Sequence, residues 1–152
     1  MEELNEFEKY NQEVDVKTLP MYSRVQLSMC DGRDNGPMYV GIKGYIFDVT
    51  GNAKQYGPGK TYNVLVGRDA TRLFGFNKLK LPEQSDDSGL TSTTWYYGDL
   101  DEKQMGLVDK WVAFFKKRYR IVGVVVDSVE IPNWRQGYGA NKGMLKLYLV
   151  EV

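Results

Sequence analysis

Chemistry in this chain of 152 residues starts from what is missing, because it contains no histidine. That excludes an imidazole general base, a Ser-His-Asp or Cys-His pair, and an ordinary zinc site. Cys30 is the single cysteine. It has no disulfide partner within the chain, no imidazole to activate it and no second thiol for a metal cluster, so it reads as a small core filler in a reducing compartment. The carboxylate pairs Asp86-Asp87 and Asp99/Asp101 lie in an acidic loop, whereas glycosidase chemistry needs two carboxyls facing each other across a cleft. Gly57-Pro58-Gly59-Lys60-Thr61 ends like a phosphate loop. That loop also requires a glycine before the four residues preceding Gly-Lys-Thr, and residues 52–56 contain none.

Tyrosine is the remaining reactive type, with 11 copies. Tyr56 and Tyr62 bracket the glycine-rich loop, and Tyr119 follows Arg118 in a basic cluster. Tyrosines commonly serve as core or interface residues with the hydroxyl tied to a partner. A phenolate is also a hard anionic donor and an axial ligand of haem iron. A loop presenting two tyrosines, with Arg118 and Tyr119 nearby to meet propionates, suits a haem. On the residues alone both readings stand.

The elements that must position these groups are short. Residues 1–20 read as a poorly ordered acidic arm closed by Pro20. Ser23 with Gln26 fits a capping box for a helix to about Met29. Residues 38–42 and 45–49 form a hairpin turned at Lys43-Gly44, and residues 62–67 and 69–76 read as two short helices, the second capped by Asp69. Residues 77–98 are loop. Asp101 with Gln104 opens a helix to about Lys117, with Met105, Val108, Trp111, Val112 and Phe115 on one face. Residues 119–131 are strand-like, and alternating Leu145, Leu147 and Leu149 mark a final strand. The fold class is α+β, a small mixed sheet with short helices on one side.

Twenty Lys+Arg balance 20 Asp+Glu, and 42% of residues are hydrophobic. That supports one real core and argues against disorder or a dedicated nucleic-acid binder. No apolar run approaches a membrane span, and residues 1–16 are too acidic for a leader. The acids crowd into residues 1–16 and 82–102, and the bases into Lys116, Lys117, Arg118 and Arg120. Such blocks are solvated faces or candidate docking surfaces.

Several motifs in order resemble one family. They are Tyr22-Ser23 through Asp31-Gly32, Tyr39-Val40-Gly41-Ile42-Lys43-Gly44-Tyr45-Ile46-Phe47-Asp48-Val49-Thr50, Tyr56-Gly57-Pro58, Tyr62, Val66-Gly67-Arg68-Asp69-Ala70-Thr71-Arg72, and Trp111 to Gly123. Together they resemble the membrane-associated progesterone receptor family of cytochrome b5-like haem/steroid-binding domains. The resemblance implies a cytochrome b5-like domain over residues 22–124. It leaves outside that domain residues 1–20, read as an arm, and 125–152, read as a C-terminal β-hairpin extension without a family counterpart. It further implies haem b, ferric and five-coordinate, with Tyr62 as iron ligand, Tyr56 in support, and Arg118-Tyr119 contacting haem. The family lacks the paired histidines of true cytochromes b5, which agrees with their absence here.

By the same resemblance the protein is a haem-binding accessory protein and not an enzyme. It supports haem-thiolate monooxygenases of sterol metabolism, with a haem-stacked homodimer as one assembly and no nucleic-acid partner. It is expected to be cytoplasmic and at most peripheral to the endoplasmic reticulum or other endomembrane, without the N-terminal anchor of some members. The alternative is a haem-independent steroid- or lipid-binding or protein-interaction module on the same fold. Arg118 stands where the family has lysine, and Leu73-Phe74 replace small residues, a change expected to narrow the pocket.

Overall fold

Lys43 and Gly44 both have positive φ, 52° and 85°, the two-residue turn whose twist matches a right-handed hairpin; the second position favours glycine. The computed structural model describes residues 3–79 and 95–126. The turn joins β2 (Tyr39–Ile42) to β3 (Tyr45–Asp48), antiparallel, with Val40 opposite Phe47. β1 (Met21–Tyr22), β4 (Arg68–Asp69) and β5 (Ile121–Val125) complete a mixed sheet of order β1-β5-β3-β2-β4. β1 runs parallel to β5 and β4 parallel to β2.

Alternation along β3 sends Phe47 to one face and Ile46 to the other. On the first face Phe47 joins Val40, Ile42, Val49, Leu73, Val108 and Phe115 in the main core. On the second, Ile46 meets Leu27 and Val125. Leu27 comes from α2 (Arg24–Ser28), opened by the Ser23/Gln26 capping box that the sequence predicts. The helices therefore cover both faces of the sheet and not one, because Ile46 and Val125 also need cover.

α3 (Ala53–Tyr56), α4 (Thr71–Phe76) and α5 (Glu102–Lys116) surround the main core. Asp101 and Gln104 form the expected capping box of α5, and Val108, Val112 and Phe115 are its buried stripe. Of the helix expected over 62–67, only a 3-10 turn forms, Asn63–Leu65. Asp69 does not cap α4. It sits in β4, and its carboxylate accepts from the Thr71 N–H at 3.2 Å and pairs with Arg24 at 3.2 Å. Ala70 holds the cap position instead.

The largest departure is the arm. Residues Glu6–Glu13 form a helix, α1, with a capping box of Asn5 and Glu8. A 3-10 turn, Val16–Thr18, then brings Val16 into the core. The acidic composition describes the exposed side of this segment and conceals its cap. Cys30 is half-buried, not a core residue. Burial and the neighbouring Asp31 raise its pKa, so the thiol is unactivated. Asp86-Asp87 and most of the expected C-terminal hairpin lie outside the described residues.

Candidate functional site

The loop between α3 and the 3-10 turn holds the first two tyrosines in place. The Tyr62 N–H donates to the Gln55 carbonyl at 3.0 Å, and Asn63 Nδ2 donates to the Tyr56 carbonyl at 2.9 Å. Gly57 is required at the exit of α3, because a Cβ there would lie 2.6 Å from the Ala53 carbonyl oxygen. No buried strand precedes Gly57, since Ala53–Tyr56 is helical, so the phosphate-loop reading fails on structure as well as spacing.

These ties pair the tyrosine rings with centroids 5.8 Å apart, tilted by 38°. Tyr56 is buried at 5% exposure, whereas Tyr62 is 38% exposed. Tyr119 stands edge-on to Tyr56 at 5.9 Å, hydrogen-bonds to its phenol, and accepts from Asn52 Nδ2 at 2.9 Å. Burial, followed by the charge and hydrogen bond of Tyr119, pushes the Tyr56 pKa far above its ordinary value. The Arg118 guanidinium opposes that shift, so its charge reaches the site, although the group itself stacks 3.7 Å over the Phe114 ring. The structure thus brings Tyr56, Tyr62 and Tyr119 together and leaves Arg118 at the rim.

Phe115 links this cluster to the rest of the core, meeting Tyr56 at 6.4 Å, Tyr119 at 5.2 Å and Phe47 at 5.4 Å. Trp111 and the 38% exposed Phe114 extend the aromatic surface along α5. Leu73 and Phe74 face inward: Leu73 is 1% exposed, and the ring partners of Phe74 are Trp111 and Phe115. They build the core, and Phe74 shows no ring contact with Tyr56 or Tyr62 among the described residues. Asn52, which orients Tyr119, was not anticipated; its only sequence signal is its place beside Gly51.

An accessible phenol on a buried aromatic bed, with a guanidinium at the rim and no imidazole in the chain, fits a haem whose iron takes an oxygen donor. The wider comparison agrees in class. Residues 23–121 match the family described as cytochrome b5-like haem/steroid binding domain, and the chain belongs to that family. A neuferricin homolog of Caenorhabditis elegans is 39% identical over 120 residues, 77% of this chain and 34% of the relative. Membrane-associated progesterone receptor component 2 of Homo sapiens is 34% identical over 74% of this chain and 48% of the relative. The cytochrome P-450 regulator dap1 of Schizosaccharomyces pombe is 30% identical over 72% of this chain and 64% of the relative. The matched region therefore spans about a third of the nematode relative and about half of the human one. A solved Arabidopsis thaliana protein with a cytochrome b5-like fold superposes with a TM-score of 0.58 at 33% identity, covering 70% of this chain and 91% of its own. No described helix is long and apolar enough to cross a membrane.

Proposed function

We propose that the protein is a haem-binding accessory protein in which the phenolate of Tyr62 holds ferric iron as the single axial ligand, supporting a haem-thiolate monooxygenase and not acting as a catalyst. The observation that carries this reading is the unequal burial of two adjacent phenols. Burial and Tyr119 deny Tyr56 the anionic form a ligand needs, and leave Tyr62, at the surface, as the phenol open to iron. Tyr56 then acts as a protonated support beneath Tyr62, the kind of neighbour that tunes a metal ligand. Arg118 and Tyr119 would meet propionates by charge-assisted and hydroxyl bonds. When bound, haem b would supply a five-coordinate iron that an anionic oxygen keeps in the ferric state.

The partner class follows the resemblance and the regulator named in fission yeast. Lys116, Lys117, Arg118 and Arg120 are the docking surface we assign to an acidic partner. Cytoplasmic residence, peripheral to an endomembrane, and a haem-stacked homodimer belong to the same proposal. The test is titration of the apo-protein with ferric haem beside Tyr62→Phe. Stoichiometric binding with a high-spin tyrosinate spectrum, abolished by the substitution, is expected. Weak binding that Tyr62→Phe leaves unchanged would overturn the ligand assignment and favour a haem-independent steroid- or lipid-binding or protein-interaction module.

A further inference from the structure

Helix α1 lies outside the residues 23–121 that match the family, yet it is bonded to the corner carrying Arg118 and Tyr119. Asn11 Nδ2 donates to the carbonyls of Lys116 at 2.9 Å and Tyr119 at 2.8 Å, while its Oδ1 accepts from the Ile121 N–H at 2.9 Å. Asn5 Nδ2 donates to the Lys117 carbonyl at 2.9 Å, and the Tyr10 hydroxyl donates to that of Ile121 at 3.0 Å. Those bonds leave a cleft of about 570 Å³ between the start of α1, the Gly51-Asn52 loop and the Lys117–Arg120 corner. That volume lies within the range of small-molecule sites.

The cleft is lined by three cations and two carboxylates, a net positive charge. Lys117, Arg118 and Arg120 line it against Glu6 and Asp48. Asp48 is already engaged, accepting from the N–H and the hydroxyl of Thr50. Among the described residues none of the three cations has a carboxylate within ion-pair distance. The Arg120 guanidinium lies 5.7 Å from the Phe7 ring and 5.4 Å from that of Tyr10, so a cationic group sits against an aromatic wall. A ligand satisfying both carries a negative head and an apolar body.

We propose that α1 is the second wall of a binding cleft for a small amphipathic carboxylate, whose charge meets Arg118 and Arg120 and whose apolar part packs on Phe7. The cleft does not include Tyr56 or Tyr62 and does not depend on iron ligation. Arg118 and Tyr119 border both sites, so the test uses Phe7 and Arg120, which line the cleft and take no part in the proposed haem site. Isotope-labelled apo-protein is titrated with laurate and with methyl laurate, below micelle formation, and followed by amide NMR.

Saturable laurate shifts at Phe7, Gly51, Asn52 and Arg120, absent with the ester, are expected. Arg120→Gln should weaken laurate binding by about tenfold, the effect of losing one charge-assisted bond. Phe7→Ala should weaken it with the backbone spectrum retained, and Tyr62→Phe should leave it unchanged. Shifts centred on Tyr56 and Tyr62, equal binding of the ester, unchanged affinity in Arg120→Gln, or no saturable binding would each overturn the proposal. Haem titration of Arg120→Gln keeps the two readings apart, because that residue has no part in iron ligation.

Discussion

Burial separates two phenols of one chemical type, Tyr56 at 5% exposure and Tyr62 at 38%. Tyr56, and Tyr39 on the other side of the sheet, hold their protons harder than free tyrosine, whose pKa is near 10.0. Desolvation is the first cause at both; Tyr39 is pushed up to about 12, with Tyr22 the next contributor. The folded state then keeps protons that the unfolded chain releases near pH 10, so stability from these groups is complete below that pH. It is lost as the pH rises toward about 12. The urea midpoint should therefore fall between about pH 9 and about pH 11, and fall less in Tyr56→Phe. A midpoint equally pH-dependent in wild type and variant would show that Tyr56 titrates like an exposed phenol.

At the scale of elements, α2 and β4 are joined by a buried ion pair. Arg24 and Asp69 meet at 3.2 Å with side chains 6% and 0% exposed, and the Arg24 guanidinium lies 3.4 Å from the Trp95 ring centroid. Asp69 also accepts from the Thr71 hydroxyl at 2.6 Å, which ties the start of α4 to the same point. Removing one partner leaves a buried charge uncompensated, so Asp69→Ala should cost about 3–5 kcal/mol. The double substitution Arg24→Met with Asp69→Leu should cost far less, because no charge then remains to be solvated. Urea denaturation of both variants checks this. Equal losses would mean that the pair contributes as packing and not as charge.

At the scale of the whole molecule, the N-terminal helix is fastened to the far end of the described chain. No residue of α1 is fully buried; the hydrogen bonds of Asn5, Tyr10 and Asn11 and the rings of Phe7 and Tyr10 beside Arg120 hold it in place. Asn11→Ala should cost about 1–3 kcal/mol, with a local signature that a general loss of stability would not show. The Ile121 N–H, whose acceptor is Asn11 Oδ1, should lose protection against hydrogen exchange while Phe47 and Val124 in the sheet keep theirs. Unchanged protection at Ile121 would mean that α1 is not what positions the corner.

Features decided within a few residues were legible before any coordinates. The Ser23/Gln26 and Asp101/Gln104 boxes, the Lys43-Gly44 turn and the apolar stripe of α5 each rest on neighbours three or four positions apart. The absence of histidine excluded imidazole chemistry and left Tyr56, Tyr62 and Tyr119 as candidate groups. Asn5 and Glu8 carried a capping box of the same local kind, masked by the acidic composition around it. Tertiary structure alone decided the rest. Arg24 meets Asp69 across 45 positions, and Asn11 meets Tyr119 across 108. Pairings at that separation depend on how the sheet curls, and local propensity carries no record of it. The same holds for which phenol is buried: Tyr56 and Tyr62 are alike in sequence, and the packing of Phe115 and Tyr119 encloses Tyr56 and raises its pKa.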